Sequence, residues 1–155
     1  KIQLVEAATL HIFDVISKGI DIIHDQQQNP IIELFEIKRF VMKHLKDEKS
    51  SPQYQLQKYY PKIFKNLKHK QFELMQELFK ENLTKGIEQK LYRKDIDIDF
   101  TARIYFNGML GIKNKDLFPL VNYSMNTLTS YHLEYHLRGI STAKGIKELE
   151  KQLLN

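Results

Sequence analysis

Cysteine is absent from the 155 residues, which excludes a disulfide framework, a thiolate zinc site and thiol nucleophilic chemistry. Four prolines and six glycines leave few breaks in the chain. No apolar run approaches the roughly 18 to 20 residues a membrane-spanning helix needs. The most apolar stretch, Leu4 to Ile23, is broken by Glu6, His11, Asp14, Lys18 and Asp21. The N-terminus also lacks the charged, apolar and small-residue sections of a secretory signal, so a cytoplasmic location is expected. Strand-like alternation is confined to Ile96, Ile98 and Phe100 between Asp97 and Asp99. An Asp ahead of an apolar-periodic stretch is also a helix N-cap, and Asp97 is read as one. The chain begins at Lys1, without an initiator methionine and already inside a periodic segment. It reads as a piece of a longer protein.

What is present is helical periodicity. Apolar residues make up 42% and charged residues 28%, the balance of a folded domain, and one core suffices at this length, so residues 1–155 are read as a single all-α domain. A first helix is expected from Lys1 to about His24, with Val5, Thr9, Ile12, Ile16, Ile20 and Ile23 along one side. Pro30 opens a second to about Lys46, with Ile31, Leu34, Phe35, Val41, Met42 and Leu45 buried. Ser50, Ser51 and Pro52 break the pattern. Gln53 to Tyr60 suits a short helix closed by Pro61, and Pro61 to Phe64 a separate turn. A long helix then runs from about Leu67 to Tyr92, with Leu67, Leu74, Leu78, Asn82 and Gly86 on one face. Asp97 caps a helix to about Ile112. A loop from Asn114 to Pro119 leads to a helix over Leu120 to Arg138, ended by Gly139. Ser141 or Thr142 caps the last, which carries Ile146, Leu149 and Leu153.

The net charge of +5 invites a nucleic-acid partner. However, the dense basic stretch of Lys58, Lys62, Lys65, Lys68 and Lys70 is expected to spread around several helical faces as ordinary solvated surface. Catalytic patterns are missing: there is no Gly-rich phosphate loop and no nucleophile elbow. His132 and His136 share a helical face, but a zinc-protease arrangement needs Glu where Leu133 stands, and no third ligand is evident. Asp95, Asp97 and Asp99 lack the glycine and glutamate of a calcium loop. No enzyme, metal or cofactor is expected.

Two features point to contacts. Aromatic and methionine side chains on several long helices either fill a core or line a cavity. Gly108 and Gly111 lie within a helix, where each costs about 1 kcal/mol relative to Ala unless another backbone approaches. That approach is either an intramolecular crossing or a contact between two copies, in which this helix and the one carrying Met125, Leu128, Tyr131, His132 and Tyr135 make a four-helix contact.

The run Gly86-Ile87-Glu88-Gln89-Lys90-Leu91-Tyr92-Arg93-Lys94-Asp95-Ile96-Asp97 resembles the end of the long central helix, and the lead into the first dimerisation helix, of TetR-type transcriptional regulators. Tyr131-His132-Leu133-Glu134-Tyr135-His136-Leu137-Arg138-Gly139-Ile140-Ser141-Thr142-Ala143-Lys144-Gly145 looks like the closing motif of a Bacteroidetes-type branch of that family. The order and lengths of the expected helices agree across nearly all of the chain. The resemblance implies an all-α, multi-helix effector-binding and homodimerising domain of a repressor. DNA would be read only by a helix-turn-helix domain that does not lie within these residues. The first helix would be the connecting helix, and Asp97 to Ile112 with Leu120 to Arg138 the dimerisation pair, including Gly108, Gly111, Met125, Leu128, Tyr131, His132 and Tyr135. A small apolar or aromatic effector would meet Phe13, Ile16, Phe35, Met42, Phe72, Met75, Phe79, Tyr105 and Met109. The alternatives are a helical interaction domain without a ligand and, less favoured, a helical enzyme using the two histidines.

Overall fold

Helices in this chain, the first excepted, start where a side chain or a proline deals with the first backbone N–H groups, which have no partner inside the helix. The computed structural model describes residues 1–45 and 52–155. The break read at Ser50 and Ser51, the helix end at Lys46 and the side chain of Leu45 lie outside the described residues. Among those described there are seven helices and no strand: α1 (Ile2–Asp25), α2 (Pro30–Leu45), α3 (Pro52–Tyr59), α4 (Pro61–Glu88), α5 (Ile98–Gly111), α6 (Met125–Ile140) and α7 (Ala143–Leu153). The protein is all-α, as its periodicity requires.

Four starts have a capping side chain. Pro30 occupies the first position of α2, and the Asn29 Oδ1 ahead of it accepts from the Ile31 backbone N–H at 2.9 Å, as a capping side chain does. Asp97, Ser124 and Thr142 cap α5, α6 and α7 by accepting from the backbone N–H of Phe100, Thr127 and Gly145. Ser124 corrects the expected start at Leu120. Residues 120–123 instead follow a turn in which Pro119 O accepts from the N–H groups of Asn122 and Tyr123. Pro61 also behaves differently from the expectation of an isolated turn. It opens α4, which continues without a break to Glu88, since a proline at the first helical position loses no hydrogen bond.

The end of α4 lies four residues short of Tyr92 for a local reason. Lys90 takes the left-handed conformation, φ 60°. The Leu91 and Lys90 N–H groups donate back to Gly86 O and Ile87 O at 2.9 and 3.0 Å, the paired bonds of a Schellman ending. Gly139 does not end α6, which runs one residue further to Ile140. The stop comes from Ser141, whose extended backbone (ψ 147°) lies antiparallel to Tyr92.

The chain gathers into two compact units, Lys1–Gln27 with Glu36–Leu74, and Gln28–Phe35 with Met75–Asn155. In the first, the buried apolar residues are Ile20, Ile37, Leu56 and Ile63. Gly19 gives room to the Phe40 ring, whose Cζ would lie 2.0 Å from a Cβ there. Ile12, read on the buried side of α1, sits at the margin of the stripe and is exposed, as are Val15 and Ile22.

The second unit is built on a core of Ile31, Leu34, Phe35, Phe79, Leu83, Leu91, Tyr92, Ala102, Tyr105, Leu133, Leu137, Ile140 and Leu149. Within it the two segments singled out in the sequence, Gly86 to Asp97 and Tyr131 to Gly145, meet. Arg93 N–H donates to Ile140 O at 2.8 Å, and Thr142 N–H donates to Leu91 O at 2.9 Å. The Thr142 hydroxyl donates to Lys90 O at 2.7 Å. Lys144 Nζ reaches Gln89 O at 3.0 Å. Gly145 is packed so close that a Cβ would stand 2.1 Å from Leu91 O. Backbone cannot yield as a side chain can, so Gly145→Ala is expected to cost about 1–3 kcal/mol through overpacking. Lys90→Gly, which relieves a left-handed lysine without touching these bonds, should gain about 0.5–1 kcal/mol. Urea denaturation of both variants checks the opposite signs.

Candidate functional site

The crossing of α5 and α6 is set by one missing side chain. A Cβ on Gly108 would lie 2.3 Å from His132 Cε1, so glycine is what lets the imidazole lie against α5. His132 Nε2–H donates to Tyr105 O at 3.0 Å, and its ring stacks on that of Tyr105 at 4.7 Å and 19°. One turn on, the His136 ring lies 4.4 Å from Tyr105 and 6.4 Å, edge-on, from Phe79. Phe79 in turn tilts against Tyr105 at 4.3 Å. Of the two openings the sequence left for Gly108, the structure shows an intramolecular crossing.

Burial pushes His136 down to about 3, with the neighbouring His132 adding to the effect. His132 is also lowered by burial, which outweighs its bond to Tyr105. Both rings are therefore neutral packing groups at pH 7, and among the described residues no group of three His, Cys, Asp or Glu is placed to hold a metal. The acidic triplet is similarly occupied. Asp97 Oδ1 accepts from Phe100 N–H at 2.8 Å, and Asp99 is held below the usual carboxylate range by Lys80 and Arg103.

A base whose folded pKa lies below its unfolded value of 6.5 takes up its proton on unfolding. Its contribution is fully present above pH 6.5 and is lost as the pH falls. Stability should drop by about 1.4 kcal/mol per pH unit below that point, about 2 kcal/mol at pH 5. In His136→Phe this share of the loss should disappear, leaving only the part that the lowered His132 contributes, as denaturation midpoints at pH 7 and pH 5 would show.

The face of the same two helices that flanks this contact is apolar and open. Tyr131 and Tyr135 on α6 are exposed, Tyr135 to 81%, as are Phe100 and Ile104 on α5. The connection between the helices adds Tyr123, and it also exposes Leu117, Leu120 and Val121, the last to 92%. Two hollows mark this face. One of about 620 Å³ lies between the start of α5 and the end of α6, walled by Ile96, Phe100, Ile104 and Ile140, with Arg93, Asp97 and Arg138 also lining it. The other, of about 420 Å³, is lined by Ile112, Phe118, Tyr123, Leu128, Tyr131 and His132. Tyr135 lines both, so they form one continuous surface. Arg138 is engaged by Glu134 at 2.9 Å and Arg93 by Asp95 at 3.8 Å.

The expected interface residues divide accordingly. Gly108, Leu128 and His132 pack within the chain. Tyr131 and Tyr135 face outward, Met125 is half-buried, and Gly111 has open space where a Cβ would stand. Phe100 and Ile104 were not assigned to this face from sequence. The usable signal was that α5 carries apolar residues on two stripes, Ala102, Tyr105 and Phe106 inward against Phe100 and Ile104 outward.

The expected effector-lining residues fall in both units. Phe35, Phe79 and Tyr105 are brought together in the second unit's core, with Met75 and Met109 packed against it. Phe13, Ile16, Met42 and Phe72 belong to the first unit and are half-buried there. None of the nine lines either hollow. No helix among the described residues is long and apolar enough to cross a membrane. Compared with protein-family models, curated proteins and solved structures, the chain matches none.

Proposed function

We propose that this chain is the homodimerising, effector-responsive regulatory domain of a TetR-type transcriptional repressor, its two copies meeting through α5 and α6. The observation that carries this reading is the open apolar face of Phe100, Ile104, Tyr131 and Tyr135. Contiguous exposed apolar surface of this kind marks an interaction site, and two antiparallel copies of a helix pair bury it as a self-complementary four-helix contact. The resemblance of Gly86 to Asp97 and of Tyr131 to Gly145 supports the repressor class, with DNA reached through a separate helix-turn-helix domain. An effector that prefers one conformation of the dimer would shift operator binding by its difference in affinity between the two.

Support for an effector comes from Gln76 on α4, three residues before Phe79. Its side chain is 7% exposed, and neither amide atom has a hydrogen-bond partner among the described residues. An unpaired buried amide costs about 1–3 kcal/mol, and a mainly apolar or aromatic ligand with one polar group would remove that cost. The competing reading, a helical dimerisation domain that takes no ligand, draws on the close packing of Phe35, Phe79 and Tyr105 in the second unit's core.

Sedimentation velocity tests the dimer. The chain of 18.5 kDa should sediment as a pair, and Ile104→Glu/Tyr135→Glu as a monomer with unchanged circular dichroism. A monomeric parent chain would sink the dimer. Gln76→Leu should raise the melting stability of the free chain by about 1 kcal/mol and abolish any thermal shift produced by a library of small aromatic acids and amides. A ligand shift that survives in this variant would remove Gln76 from the site.

A further inference from the structure

The charge excess of the chain is not evenly shared. The first unit holds twelve Lys and Arg against eight Asp and Glu, and the second twelve against eleven. Within the first, no acidic residue occurs between Glu48 and Glu73, a span that contains Lys58, Lys62, Lys65, Lys68 and Lys70. Because α4 runs unbroken from Pro61, the last four of these ride on one rigid helix instead of a turn followed by a second helix.

The helical period then fixes where they point. At 100° per residue, Lys62, Lys65, Asn66, His69 and Lys70 span an arc of about 140° opposite Phe64, Gln71 and Leu78, with Lys70 at one edge beside Ile63 and Lys68 beyond the other. The burial pattern agrees: Ile63 is buried and Leu67 half-buried, while Lys62, Lys65, Asn66, His69 and Lys70 are exposed and Lys68 is half-buried. Two stems are steadied on rings, Lys68 Nζ at 5.4 Å from the Phe64 centroid and Lys70 Nζ at 6.0 Å from that of Phe13. The first acid on this arc is Glu73, which pairs with His69 at 3.2 Å. From Lys62 to Lys70 the face extends about 12 Å along the helix axis.

We propose that this lysine face of α4 binds the phosphate backbone of duplex nucleic acid without regard to sequence, a contact beyond the dimerisation and effector reading. A ridge of ammonium groups suits a partner whose charges are regularly spaced and fixed. Lysine contributes point charge without the planar fork that reads base edges, so the contact is electrostatic and follows counterion release. An anionic bilayer is the less suitable polyanion. The exposed arc from Pro61 to Glu73 carries no large apolar side chain to enter the headgroup region, as surface-lying helices do.

The test is fluorescence anisotropy of a labelled 25-base-pair duplex of arbitrary sequence with the 155-residue chain. Four phosphate contacts predict an affinity that falls about 10²-fold between 50 and 200 mM salt. K62Q/K65Q/K70Q should weaken binding at 50 mM salt at least tenfold and reduce the log–log salt slope by about 2.7. K115Q/K147Q/K151Q, which removes the same charge from the second unit, should leave the slope unchanged. Equal losses in the two variants would assign the binding to net charge and overturn the proposal. So would absence of binding at 50 mM salt, or preferential uptake by vesicles containing 30% anionic lipid in direct competition with the duplex.

Discussion

The second unit depends on a single buried amide. Asn82, midway along the later part of α4 and 1% exposed, donates through Nδ2 to Pro30 O at 2.9 Å and to Glu33 Oε1 at 2.7 Å, and its Oδ1 accepts from the Tyr92 hydroxyl at 2.9 Å. Three elements far apart in sequence, the start of α2, the body of α4 and the turn after it, are thereby held to one point. The Tyr92 ring fills the space left by Gly86, where a Cβ would stand 2.0 Å from Cδ2. Burial, the Glu33 carboxylate and Tyr105 together push the Tyr92 hydroxyl well above its ordinary range. It remains a donor at any ordinary pH. Buried polar groups of this kind stabilise only when every member is matched. Here geometric matching fixes the register between α2 and α4 where apolar packing alone would tolerate sliding.

That arrangement explains which parts of the fold could be read from the sequence. The helices were legible because their causes are local: Asp97, Thr142, Pro30 and the apolar period act within a few residues. Asn82 and Gly86 were legible as positions on the inner face of α4, but their partners were not, because Pro30, Glu33 and Tyr92 are brought to them by tertiary structure. The misplaced boundaries have the same origin. Gly139 looks like a helix stop, yet α6 ends where Ser141 pairs with Tyr92, a contact made across the fold. Lys90 sits in a left-handed conformation that sequence alone would assign to glycine or asparagine, so the end of α4 was read too late.

The face of α5 and α6 was partly legible for a related reason. Periodicity identifies an apolar residue but does not say which of two apolar stripes faces the core. Tyr105 and Phe106 turned inward, while Phe100, Ile104, Tyr131 and Tyr135 turned outward. Gly108 decides the matter, since the His132 ring occupies the side of α5 where its Cβ would be, fixing the rotation of α5 about its own axis. The histidines, which as sequence suggested chemistry, serve as flat neutral spacers in that contact.

The backbone bonds between residues 90–93 and 140–142 have one more implication, for chain continuity. The connection from Lys113 to Tyr123 is mostly exposed, and a protease has ready access to it. A cut there would leave α6 and α7 attached all the same. Leu133, Leu137 and Leu149 are at most 1% exposed in the core, and Arg93 N–H and Leu91 O are bonded to Ile140 and Thr142. The nicked protein would travel as one body until denatured, its C-terminal hairpin of helices a non-covalent subunit of the domain that made it.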